Sequence, residues 1–117
     1  MWKKINQKEE KIMSFWSADF MNDRRKQWLN ALLKFEYLVD GTWYEAVINT
    51  KRIVGNRIEI IVSFPRTSSG SQTIKAVRII DVTGKQAGYQ STDIVRATNQ
   101  GVLTKFEFPI YEKEDEV

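Results

Sequence analysis

The chain has 117 residues, 42% hydrophobic and 28% charged, with a net charge of +3, no cysteine and no histidine. That length and balance suit one domain whose core needs no staples. The two absences exclude disulfide frameworks and thiolate chemistry, together with the side chain on which most general-base and metal chemistry near neutral pH depends.

Charge is unevenly spread. Residues 1–34 hold eight Lys or Arg against four Asp or Glu, and the terminal EKEDEV is acidic. A basic head and an acidic tail suit contacts to nucleic acid, charge pairing between neighbouring copies, or two solvated ends. No apolar run approaches the roughly 20 residues that span a bilayer, and MWKKINQKEEK lacks the apolar stretch of a secretory signal. The expectation is a soluble, intracellular protein with no membrane partner.

The first aromatic cluster is SFWSADF at 14–20, where Phe15, Trp16 and Phe20 stand inside a charged stretch. Burying one such ring is worth roughly 1.5–3 kcal/mol, so three rings in water are wasteful and invite aggregation. Either they fold back over an open end of the domain or they bury on a partner. Trp28, Leu29, Leu32 and Leu33 then fall on one face of a helix over 23–33, with Asn22 or Asp23 as its N-cap. Leu33, Phe35, Tyr37 and Val39 also alternate, so a strand starting near Leu33 competes with the end of that helix. Residues 1–22 are read as an N-terminal arm, helical or extended, and 23–117 as one β-rich domain with a leading helix.

From Phe35 the pattern is β-structure. FEYLV (35–39) and WYEAVIN (43–49) flank Asp40-Gly41, a type I′ hairpin signal; TKRIV (50–54) and RIEIIVSF (57–64) flank Gly55-Asn56, suited to type II′. Ile58, Ile60, Val62 and Phe64 alternate with Arg57, Glu59, Ile61 and Ser63, giving one wholly apolar face. Pro65 ends that strand and RTSSGSQ (66–72) is a polar loop. TIKAVRIID (73–81) reads as a central strand, followed by a turn at Thr83-Gly84, then QAGYQ (86–90) and DIVRA (93–97). VLTKFEFPIYE (102–112) closes the chain, with Val102, Phe106, Phe108 and Ile110 on one face and Pro109 pointing to a sheet edge or a bulge. About six or seven short strands with frequent turns indicate a mainly β fold, a single antiparallel β-sandwich or small barrel.

No motif carries catalysis. The glycines are isolated, and TSSGSQ lacks the lysine and helix of a phosphate loop. Asp81, Asp93 and Glu107 sit at strand ends or on polar faces, where solvated acids are expected, rather than as a glycosidase pair. Asp40, Asp81 and Asp115 lack the spacing of a hard-cation site. No catalytic residue, metal or cofactor is therefore assigned. A nucleic-acid-binding alternative draws on Arg24, Arg25, Lys26 and Trp28, with Lys51, Arg52, Arg57 and Arg66, because single-strand binders interleave cations with stacking rings. Trp43, Tyr44 and Tyr89 could stack on sugar, though cross-strand packing explains them as well.

VRIIDVTGKQAGYQ (77–90), with NQGVLTKFEFPIYE (99–112), resembles small structural proteins of the tail or baseplate modules of phages and prophages of Gram-positive bacteria. The likeness lies in the succession of short strands, the Asp81-to-Gly84 turn and the closing strand. It covers about a third of the chain and carries over no functional residue. It implies a non-enzymatic particle component, made in the cytosol and built into a virion. The reading is a structural protein whose partners are other copies of itself or other subunits. Phe15, Trp16 and Phe20 would anchor the partner, and Arg24 and Arg25 would steer it.

Overall fold

The computed structural model describes residues 15–65, 67, 70–98 and 100–112. Arg66, Asp115 and the rest of the acidic tail after Glu112 lie outside them, as do residues 1–14.

Helix α1 spans Ala18–Ala31, beginning five residues before the expected start. The reason is local: the Ser17 hydroxyl accepts the Phe20 N–H at 3.1 Å, and Asp19 sits in the first turn. Ser17 is thus the N-cap, with an acid placed favourably against the helix dipole. At the other end the Val82 N–H reaches the Ala31 carbonyl at 2.9 Å, satisfying one of the acceptors that a helix terminus leaves open. Strand β1, Leu32–Val39, follows without a loop, so the alternation around Leu33 belongs to a strand. Its phase is offset by an irregularity between Leu32 and Lys34, which buries Leu32 and leaves Leu33 exposed.

Asp40 and Gly41 both take positive φ, 51° and 78°, as a type I′ turn demands. The turn leads to β2, Thr42–Glu45. The expected strand 43–49 is in fact split at Ala46, which is buried and donates its N–H to the Phe35 carbonyl at 2.9 Å. There the chain leaves one sheet and enters the other as β3, Val47–Val54. A small side chain suits such a corner, because the two sheets come closest where one chain passes between them. Gly55 (φ 60°) turns β3 into β4, Arg57–Ser63.

Strands β5, Gln72–Asp81, and β6, Gln86–Arg96, form a long hairpin. The two short segments expected over 86–97 are one strand, because register shifts opposite Ile74–Ala76 and Ile79–Ile80 absorb the break in alternation. Strand β7, Leu103–Pro109, completes the fold.

All pairings are antiparallel. They build a four-stranded sheet, β2-β1-β5-β6, and a three-stranded sheet, β3-β4-β7. The fold is thus mainly β, two sheets packed face to face without closing into a barrel. The expected apolar face of β4 is wholly buried, and it meets Phe35, Tyr37 and Val39 of β1 and Ile74 of β5. Ring contacts cross the sandwich, Phe35 to Phe106 at 5.0 Å and Tyr37 to Phe64 at 5.1 Å. One side of the sandwich is stitched by the passage through Ala46. On the side where β6 and β7 end their sheets, no ladder joins them.

Candidate functional site

The three rings of SFWSADF form a cluster of their own. Phe15 meets Trp16 edge-on at 4.9 Å, and Trp16 stacks on Phe20 at 4.8 Å. Exposure stays high, 74% for Phe15, 45% for Trp16 and 37% for Phe20, so they do not fold back into the sandwich core. Their backbone is nevertheless fixed. The Glu112 carboxylate accepts the N–H of Phe15 at 3.0 Å and of Trp16 at 3.2 Å, binding the approach to α1 to the end of the β7 extension.

Arg24 and Arg25 support this arrangement. The Arg24 guanidinium lies 4.4 Å from the centre of the Phe20 ring, a cation–π distance, and its Nε has no hydrogen-bond partner among the described residues. Arg25 donates from Nε to the Ile110 carbonyl at 3.0 Å, while the Ile110 N–H reaches the Asn56 carbonyl at 2.9 Å. Residue 110 is therefore held between the helix and the β3–β4 turn.

Beside the rings runs an apolar groove along the open side of the sandwich. Met21, Arg24, Trp28, Ala87 and Ile110 line its helix end, a hollow of about 570 Å³. Trp28, Ala87 and Ile110 continue into a section of about 350 Å³ floored by Ile79 and Phe108. Ile79 and Phe108 in turn border a pocket of about 210 Å³ reaching Phe35, Tyr89 and Phe106. Trp28 stands over this groove, 52% exposed.

The cations proposed for nucleic acid are mostly engaged elsewhere. Lys51 donates to the Leu32 carbonyl at 2.6 Å. Arg52 pairs with Glu59 at 2.6 Å, Arg57 with Glu107 at 3.2 Å, and Lys105 with both acids at 3.3 and 3.5 Å. These five side chains form a charge ladder on the outer face of the three-stranded sheet. Hydrogen bonds from Arg52, with those from Lys105, outweigh burial and hold the Glu59 carboxyl below its ordinary range. Lys26 is exposed on α1.

Two of the three rings considered for sugar converge on the other outer face. Trp43 and Tyr89 approach to 6.4 Å, and the Arg78 guanidinium lies 4.1 Å from the centre of the Trp43 ring. Arg78 also pairs with Glu36 at 2.7 Å. Burial pushes the Glu36 carboxyl up, but hydrogen bonds from Arg78 and Lys34 prevail and leave it lowered. Tyr44 lies apart from them, against Tyr37 at 5.9 Å.

Asp81 and Asp93 have structural partners. Asp81 accepts from the Thr83 hydroxyl at 2.6 Å, the Thr83 N–H at 2.8 Å and the Lys85 N–H at 3.1 Å. Those donors lower its pKa, the Thr83 hydroxyl most, and fix the β5–β6 turn. Asp93 pairs with Lys75 at 3.1 Å. Among the described residues no group of three or more acidic side chains is placed to hold a metal ion, and no helix is long and apolar enough to cross a membrane.

Two residues that shape these surfaces had no signal in the sequence. Glu112 reads as part of an acidic tail, and its partners lie 96 and 97 positions away. Arg96 reads as one more cation in a short strand, yet it is 1% exposed. Its Nη1 donates to the Phe64 carbonyl at 2.5 Å, and Nη2 lies 3.5 Å from that of Pro65. No family model, curated protein or solved structure matches the chain.

Proposed function

We propose that the chain is a non-enzymatic assembly protein that works through protein–protein contacts, with Phe15, Trp16 and Phe20 as its anchors. The observation that carries this reading is the combination of exposure and order in the ring cluster. Rings that fill a core are hidden, and rings on an unstructured leash are not held by a carboxylate and a guanidinium. Pre-fixed aromatics suit binding because little side-chain freedom is lost on contact. Arg24 and Arg25 then act by positioning the anchors. The finer form, a subunit of a phage or prophage particle, rests on the strand-and-turn resemblance alone. The nucleic-acid alternative gains nothing from the hairpin, where Arg52 and Arg57 already face carboxylates.

Thermal unfolding of Phe15→Ala, Trp16→Ala and Phe20→Ala tests the reading. Measured on the dissociated monomer, anchors for a partner leave stability within about 1 kcal/mol of the parent, whereas large core rings cost about 3–5 kcal/mol when truncated. Losses of the larger size would overturn it.

A further inference from the structure

The anchors and the groove lie on one continuous surface. Phe20 touches Arg24, Arg24 and Trp28 line the same hollow, and Trp28 continues to Phe108 and Ile110. At 150–250 Å² per aromatic side chain, the exposed fractions of Phe15, Trp16, Phe20 and Trp28 leave roughly 400 Å² of ring surface per chain in water. That is about half of the ~800 Å² that each partner contributes to a stable interface, before any groove wall is counted. It also matches the largest apolar patch on a typical monomer, about 300–600 Å².

We infer that the occupant of the groove is a second copy of this chain, docked about a two-fold axis. Each copy's Phe15–Trp16–Phe20 cluster seats between α1 and the β6–β7 opening of the other. This deepens the assembly reading and rests on it. The argument is one of self-complementarity. A projecting apolar cluster beside an apolar groove on the same face can be satisfied twice by a single two-fold rotation, which closes the assembly. A head-to-tail contact that does not close into a ring would leave one cluster and one groove unfilled at its ends. The four rings supply the desolvated centre such an interface needs, and Arg24 is placed at its middle, where arginine is enriched. Because the contact is apolar, it persists as salt rises.

The test compares the molar mass in solution of the full chain, of Trp16→Ala and of Ala87→Arg, from micromolar to millimolar protein, with a thermal melt of each. Ala87 is exposed on the edge strand β6, lines the groove and is not among the residues of the core cluster or those packed on it, so an arginine there obstructs the seat and spares the fold. The expected result is a dimer for the parent, at least tenfold weaker association for both variants, and, at the dilution where all three are monomeric so that dimerisation adds nothing to stability, unchanged melting. A parent that stays monomeric throughout overturns the second-copy inference. So does a dimer that Ala87→Arg leaves intact; if Trp16→Ala breaks that dimer, the anchors serve another seat and the assembly reading survives. A marked loss of melting temperature in Trp16→Ala at that monomeric dilution removes both, because the ring is then part of the fold.

Discussion

The Glu112 carboxylate accepts the backbone N–H of Phe15 at 3.0 Å, joining residues 97 positions apart. A strand extension thereby holds the start of a helix that buries no residue completely. A 14-residue helix is marginal alone. Its place depends on Leu29 against the core, the Arg25 bond to Ile110 and this carboxylate.

Glu112→Ala should therefore loosen the ring cluster while sparing the sandwich. Surface charge-assisted bonds of this kind contribute about 1 kcal/mol. Amide hydrogen exchange should rise at Phe15, Trp16 and the first turn of α1, with β1, β4 and β5 unchanged. Glu112→Gln, which keeps an acceptor, should recover part of the protection.

Arg96 closes the other end of the sandwich. It is a buried cation whose acceptors are the carbonyls of Phe64 and Pro65, and the Tyr37 hydroxyl also donates to the Pro65 carbonyl. Burial raises the Tyr37 pKa, partly offset by the nearby Arg96 charge. Arg96→Met strips two carbonyls of a donor and should cost about 2–4 kcal/mol in denaturant unfolding. Tyr37→Phe should cost about 1 kcal/mol. The two losses together should exceed additivity, because the Pro65 carbonyl keeps one donor in each single variant and neither in the double.

Acid should destabilise the fold through Glu36, Glu59 and Asp81. All three carboxyls sit below their ordinary values in the folded chain. Between the folded and unfolded pKa values the unfolded chain binds more protons, so stability rises with pH there. The contribution is complete above the unfolded pKa and disappears as pH falls through the folded one. Chemical denaturation across the acid range should show that slope, and Glu59→Gln should flatten it. A Glu59→Gln profile parallel to the parent's would remove Glu59 from the account.

Local signals in the sequence carried most of the sandwich. Asp40-Gly41 marks its hairpin because few residues accept two successive positive φ values, and Ile58, Ile60, Val62 and Phe64 announce a buried face by period alone. Pro109 signals a sheet edge or a bulge, and the edge is what it marks, since β7 ends its sheet. What stayed hidden depends on partners distant in the chain. Ala46 looks like any strand residue until the second sheet makes it a corner, and the bulges opposite Ile74 and Ile79 turn two apparent strands into β6. Ser17 gives no cap signal in the sequence, because the amphipathic stretch begins later, at Trp28. The ring cluster itself was visible, but the carboxylate that fixes it was not, because nothing near Glu112 signals a bond to Phe15.

The most direct measurement is light scattering on the full chain and on the Phe15→Ala/Trp16→Ala/Phe20→Ala triple variant, each at low and high salt. The account predicts an assembly for the parent that resists salt, and a folded monomer for the variant. One and the same monomer mass for both proteins at both salt concentrations would contradict it.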